Sequence, residues 1–272
     1  MVIALANASS VGTAIGQSAL VVLGVMGIAF VVGRILGRYR DIDVFWPLGF
    51  VAVALFGFIS SSGADGSDRI QRILLLVVVA LWGLRLAAHL AWRSRGHGED
   101  PRYAAILRGA RGRSEVLYAL VVIYGLQAVL MWFISMTVTV GMFASSPMRW
   151  LEALGAAVWF VGFAFESIGD LQLSRFLADP ANAGKVMDRG LWSWTRHPNY
   201  FGDATVWWGT FLIAAAGGWG LLTLLSPLLM TRLLTSVSGK PLLENRMRKT
   251  REGFAEYVER TSSFFPRPPR SR

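Results

Sequence analysis

Seven stretches of this chain are apolar over enough residues to cross a lipid bilayer, and no other property narrows its possible folds as far. A helix needs roughly 20 apolar residues to span the hydrocarbon core. Runs at 15 to 36, 42 to 60, 70 to 92, 116 to 140, 149 to 168, 201 to 216 and 219 to 236 meet or approach that length with few charges. The predicted fold is therefore all-α, a multi-pass membrane bundle of about seven transmembrane helices. Composition agrees, with 54% hydrophobic and 16% charged residues, against about a quarter charged in soluble domains.

The net charge of +10 is explained by its distribution. Of the 27 Lys and Arg, Arg69, Arg72 and Arg149 flank the loops on one side and Arg85 lies within a span; the others fall on the opposite side or at span ends facing it. The positive-inside rule then places the N-terminus outside and the basic C-terminal tail in the cytoplasm, with the protein in the plasma (inner) membrane. Anionic headgroups account for the basic tail, so no nucleic-acid partner is expected. The N-terminus lacks a basic region ahead of its first apolar run, and no cleavable signal is expected. The absence of cysteine excludes disulfides and thiolate metal sites, and three histidines do not by themselves make a zinc site, so no metal is predicted.

No internal repeat or linker divides the chain, which reads as one membrane domain over 1–272. The outer loops, such as SSGADGSD and AAAGGWG, are short and rich in small residues. Polar chemistry gathers in three inner segments, 93 to 115, 170 to 200 and the tail from 238. Pro180, Gly184 and Gly190 break the second into turns. In the tail, Met247, Phe254, Tyr257 and Val258 have the spacing of an amphipathic surface helix, and the PRPP that follows ends regular structure.

Three constellations stand out. In FAFESIGDLQLSRF, Glu166 and Asp170 lie four residues apart on one helix face, where carboxylates line a cavity or form an ion pair with Arg175 or Arg189. Arg85 and His89 repeat that spacing in LWGLRLAAHLAWR, followed at once by RSRGHGEDPRY with its Tyr103. The stretch WSWTRHPNYFGD is the third. Its tryptophans, Trp192 and Trp194, suit a membrane interface. Arg196 and His197 before a proline suit an anion site, and Tyr200 and Asp203 share a face of the helix that follows. A cavity open to the cytoplasm would admit a charged soluble cofactor there while an apolar substrate arrives from the bilayer. No Walker or Rossmann glycine pattern is present.

The run GDLQLSRF, then GLWSWTRHPNYFGD, then KPLLENRMRK and FAEYVERTSSFFP in the tail resembles the steroid 5-alpha-reductase family, in particular its bacterial branch known as DUF1295. EDPRY is similar to that branch as well. The resemblance covers about residues 70 to 268; the first two spans, 1 to 69, carry little of it. It implies NADPH held at the cytoplasmic side and hydride transfer to the beta carbon of an enone in a steroid or other lipid. By that resemblance Asp170 matches an aspartate that contacts the cofactor, and Glu166 takes the place of an asparagine one turn earlier. Asn199 and Asp203 match an NYxGE-like cofactor segment. Lys185 and Arg246 lie where basic residues approach the cofactor phosphates, joined by Arg196 and His197, and Arg85 lies near an arginine of the third span. The family's substrate-holding glutamate and tyrosine have no counterpart here: the second span offers only Asp41 and Asp43 at its edge, and Trp82 and Gly83 stand where the tyrosine falls. His89, Tyr103 and Tyr200 are the candidate proton donors. Isoprenylcysteine carboxyl methyltransferases share an RHPxYxG-like element, so a membrane methyltransferase using S-adenosylmethionine is the alternative.

Overall fold

A computed structural model describes residues 2–112, 114–237 and 240–269. Ser238 and Gly239, where the tail was expected to begin, lie outside them. Every regular element among the described residues is helical, and one isolated parallel bridge joins Thr195 to Ser262. The principal helices are α1 (Val2–Leu36), α2 (Ile42–Ser60), α3 (Arg69–Ser94), α4 (Pro101–Leu107), α5 (Glu115–Tyr118), α6 (Leu126–Met142), α7 (Arg149–Ala178), α8 (Leu191–Trp194), α9 (Pro198–Ala215), α10 (Leu225–Arg232), α11 (Lys240–Thr250) and α12 (Phe254–Arg260). Wider π turns at Ala119–Gly125 and Leu233–Val237 join α5 to α6 and extend α10.

Among the described residues, six segments are long and apolar enough to cross a membrane: Ser10–Leu36, Ile42–Ser60, Arg69–Ser94, Glu115–Met142, Arg149–Ala178 and Trp219–Val237. Each matches an expected span, and α7 continues ten residues beyond the expected end at 168. The remaining expected span, 201 to 216, is most of α9. Its 18 residues give about 27 Å of helix at the standard rise, and Asn199 and Asp203 lower its hydropathy. Large apolar side chains such as Leu20, Ile35, Val121 and Phe160 remain exposed on these helices, as expected of surfaces that meet lipid rather than water.

The described fold divides into two compact units. One comprises Met1–Glu152 with Ile213–Ser226, the other Ala153–Leu212 with Pro227–Arg272.

In the first unit, α2 and α3 approach closely because Gly83 has no side chain; a Cβ there would lie 2.8 Å from the Pro47 carbonyl. At one end of this unit Asp68 caps α3 by accepting from the Gln71 amide at 2.9 Å, a contact type that contributes about 1 kcal/mol. Arg149 forms ion pairs with Asp68 at 2.5 Å and Glu152 at 2.9 Å. The fully buried Gln71 amide donates to the carbonyls of Gly141 at 3.2 Å and Ala214 at 3.3 Å. The three loops expected on the outer side thus meet at one end. Glu99 organises the loops at the other end, its carboxylate accepting from the backbone amides of Tyr39 at 2.5 Å and Arg40 at 3.0 Å. The polar variety of RSRGHGEDPRY is explained in part by this joint.

The second unit rests on a helix pair of another kind. Gly155, Gly162 and Gly169 recur every seven residues on α7, as do Gly202 and Gly209 on α9. A Cβ on Gly209 would stand 2.4 Å from the Trp159 amide nitrogen, one on Gly162 would be 2.5 Å from that of Val206, and one on Gly202 would be 2.4 Å from that of Glu166. The two helices therefore run antiparallel with their backbones in contact, the close approach that small residues permit between membrane helices.

The tail was expected to form one amphipathic helix on the membrane surface. It forms two, α11 and α12, broken at Gly253, which takes a left-handed φ of 72°. Phe254 and Tyr257 are buried within the protein, and the Tyr257 hydroxyl donates to the Trp192 carbonyl at 2.6 Å. The Tyr257 contact ties α12 to WSWTRHPNYFGD.

Candidate functional site

Glycine packing brings the polar residues of α7 and α9 together. Gly169 meets Pro198 and Asn199 at the start of α9, so Asp170, the next residue, receives a hydrogen bond from Asn199 Nδ2 at 3.2 Å. The Asn199 side-chain oxygen accepts from the Tyr200 amide at 3.1 Å. It thereby satisfies one of the donors left open at a helix start. One turn back on α7, Glu166 has its backbone against Gly202, next to Asp203. Glu166 and Asp170 are both buried, and Asn199 and Asp203 are half-buried. Three acids and an amide thus form a row along the facing helices.

Arg196 and His197 face an anion, and that anion belongs to the chain itself. Arg196 Nε donates to Glu244 Oε1 at 2.9 Å, and its Nη1 reaches the carbonyls of Val258 at 3.2 Å and Thr261 at 2.7 Å. His197 Nε2 lies 3.0 Å from the same Glu244 oxygen. Burial pulls the Glu244 carboxyl upward, but the hydrogen bonds from His197 and Arg196 outweigh it and bring the group down to about 2. Burial also holds the His197 imidazole below its ordinary value, against the opposing pull of Glu244. At neutral pH an ionised Glu244 therefore faces a neutral His197, which fixes the hydrogen on Nε2 and leaves Nδ1 as an acceptor. Tyr200 stacks on the imidazole with ring centroids 5.4 Å apart.

Backbone contacts extend this grip. The Arg196 amide donates to the Ser262 carbonyl at 2.9 Å, Thr195 Oγ1 to Phe264 at 2.8 Å, and the Arg267 amide to Trp194 at 3.0 Å. Trp192, expected at the membrane surface, is buried and donates its indole N–H to the Gly169 carbonyl at 3.0 Å; Trp194 is exposed. At Gly190, φ is 58° and an added Cβ would collide with Gln172, whose side chain accepts from the Leu191 amide at 3.0 Å.

Other predicted site residues lie elsewhere. Lys185 and Arg246 are exposed, Lys185 in the turns after α7 and Arg246 on α11. Arg85 and His89 are half-buried on α3, in the first unit. Tyr103, also in that unit, donates its hydroxyl to Asp43 at 2.5 Å, with Arg102 on the other Asp43 oxygen at 2.8 Å. Burial and the Asp43 charge push the Tyr103 hydroxyl far above its ordinary value, so it keeps its proton. Among the described residues no group of three or more His, Asp or Glu is arranged to hold a metal ion.

Sequence reasoning missed Glu244, which lies within KPLLENRMRK but 47 residues from His197. It also missed the sevenfold spacing of the glycines, visible in the sequence, which sets how closely the row assembles.

These features define a polytopic helical membrane protein with a row of acids and an amide between two closely packed helices. The chain belongs to the DUF1295 family, described as a protein of unknown function, whose model matches residues 29–261. Comparison with curated proteins and with solved structures gave no match.

Proposed function

We propose that the chain is a membrane oxidoreductase that uses NADPH to reduce an activated, enone-type carbon–carbon double bond in a steroid or other lipid taken from the bilayer. In this reading α9 is a seventh crossing, the N-terminus is outside, and the tail and site face the cytoplasm. The observation that carries it is the row of Glu166, Asp170, Asn199 and Asp203 along the glycine-packed pair. Carboxylates and one amide oxygen accept hydrogen bonds, which suits the donors of a carboxamide and of ribose hydroxyls and disfavours a phosphate.

The phosphates then fall to exposed cations, Lys185 and Arg246. Arg196 and His197, engaged by Glu244, act by holding the tail against the start of α9. When bound, NADPH supplies the hydride. Asn199, held by its bonds to Asp170 and the Tyr200 amide, offers an amide of fixed orientation. Tyr200 follows Asn199 directly and has its ring fixed against His197, which favours it as proton donor over Tyr103, whose hydroxyl is committed to Asp43, and over His89.

Binding of NADPH, NADH and S-adenosylmethionine to the purified protein in detergent tests this reading. Saturable NADPH binding is expected, weakened by about tenfold, or ~1.4 kcal/mol, in Asn199→Ala and in Arg246→Ala. Saturable binding of S-adenosylmethionine without NADPH would overturn it in favour of a membrane methyltransferase.

A further inference from the structure

The C-terminal segment encloses a cavity of about 630 Å³ that shares no lining residue with the row on α7 and α9. Its walls come from Thr235 and Ser236, from Lys240 at the start of α11, and from the chain between Val258 and Pro268. Three cations line it, Lys240, Arg260 and Arg267, with a single carboxylate, Glu259. Arg260 is neutralised by an ion pair with Asp188. Lys240 and Arg267 therefore outnumber the acid, and the cavity keeps positive charge. Lys240 Nζ donates to Ser263 Oγ at 2.6 Å, which fixes the ammonium at the wall and orients the hydroxyl beside it.

Thr235 and Ser236 close a segment apolar enough to cross the membrane, Trp219–Val237, so the cavity lies where a spanning helix ends. Phe265, 64% exposed, and Phe264 add an apolar surface to the same wall. The volume falls within the ~300 to 1,000 Å³ common for small-molecule sites and exceeds what bare phosphate would fill. Two cations with adjacent hydroxyls match the charge and hydrogen-bonding demand of a phosphate oxyanion, and the phenylalanines match an apolar portion.

We infer that this cavity binds a phosphate ester, with Lys240, Arg267 and the neighbouring serine hydroxyls on the phosphate and Phe265 against its apolar part. The same chemistry is offered by an anionic phospholipid headgroup and by a water-soluble phosphate ester. The site does not depend on the proposed reductase activity.

Native mass spectrometry and thermal shift on the full-length protein in neutral detergent test it, with phosphatidylglycerol, phosphatidylcholine and glycerol 3-phosphate as probes. Phosphatidylglycerol is expected to bind and stabilise, phosphatidylcholine far less, with K240Q and R267Q each weakening binding by about tenfold and Lys240→Arg preserving it. Glycerol 3-phosphate binding as well as the lipid, with the same sensitivity to charge removal, would identify a soluble ester as the ligand; binding of the lipid alone would identify the headgroup. Arg267 is exposed, so R267Q tests the site even where K240Q disturbs the contact with Ser263. The inference is overturned if neither anionic probe binds, or if both variants bind phosphatidylglycerol as the native chain does.

Discussion

Glu244 satisfies two buried groups at once, and removing its charge would strand both. The side chain of Arg196 is only 8% exposed and that of His197 2%; breaking one partner of such a buried pair costs about 3 to 5 kcal/mol. Glu244→Gln is expected to lower the thermal unfolding midpoint sharply. Arg196→Lys should be nearly as damaging, since an ammonium cannot span the carboxylate and two carbonyls that the guanidinium fork reaches. Acid should act on the same joint. The folded-state value of His197 is depressed below 6.5, so the unfolded chain takes up that proton first. The contribution of His197 is present in full above 6.5 and is lost as pH falls from there towards its folded value. Glu244 acts the same way lower down, its contribution present above 4.5 and lost as pH falls through about 2. A stability–pH profile in detergent should decline on acidification, and His197→Gln should remove the upper part of that decline; an unchanged profile would show that His197 is not the group responsible.

Between elements, Gly202 and Gly209 of α9 meet the backbone of α7 with no side chain between to give way, so added volume there must push the helices apart. A methyl on Gly202 or Gly209 would meet backbone nitrogen at 2.4 Å. Gly202→Ala and Gly209→Ala are expected to destabilise by roughly 2 to 3 kcal/mol, at the upper end for an overpacked interface, and to weaken NADPH binding by moving Asn199 from Asp170. Gly24→Ala on α1, where nothing lies within 4 Å, should be neutral or stabilising in the same thermal assay. The spanning helices were legible because apolar runs of that length admit few other structures. Most of the site row was legible too, through the pairing of Glu166 with Asp170 and the spacing of Asn199 and Asp203. The partner of Arg196 and His197 was not, because Glu244 reaches them only once the tail folds back between Ser262 and Arg267, and nothing local to RHP marks a partner 47 residues away. Trp192 misled for a related reason: a tryptophan at a polar boundary looks like an interface anchor until a particular carbonyl, that of Gly169, takes its N–H.

At the scale of the whole chain, membrane orientation depends on whether α9 crosses. Contacts in each unit support a crossing. In the second, α9 lies antiparallel along α7 from Gly209 beside Trp159 to Pro198 beside Gly169. In the first, the Ala214 carbonyl at the far end of α9 accepts from Gln71, beside the Asp68 cap that Arg149 holds. We propose on the packing within the second unit that α9 crosses alongside α7. Seven crossings put the tail on the side opposite Ser62, and six put it on the same side. The chain has no cysteine, so single substitutions report without background. Ser62→Cys is expected to react with a membrane-impermeant maleimide in intact cells, whereas Gly98→Cys and Glu252→Cys should react only after the membrane is opened, because the cationic loops belong on the cytoplasmic side. Labelling of Glu252→Cys together with Ser62→Cys in intact cells would show that α9 does not cross and would place the tail, with Glu244 and the phosphate cavity, outside.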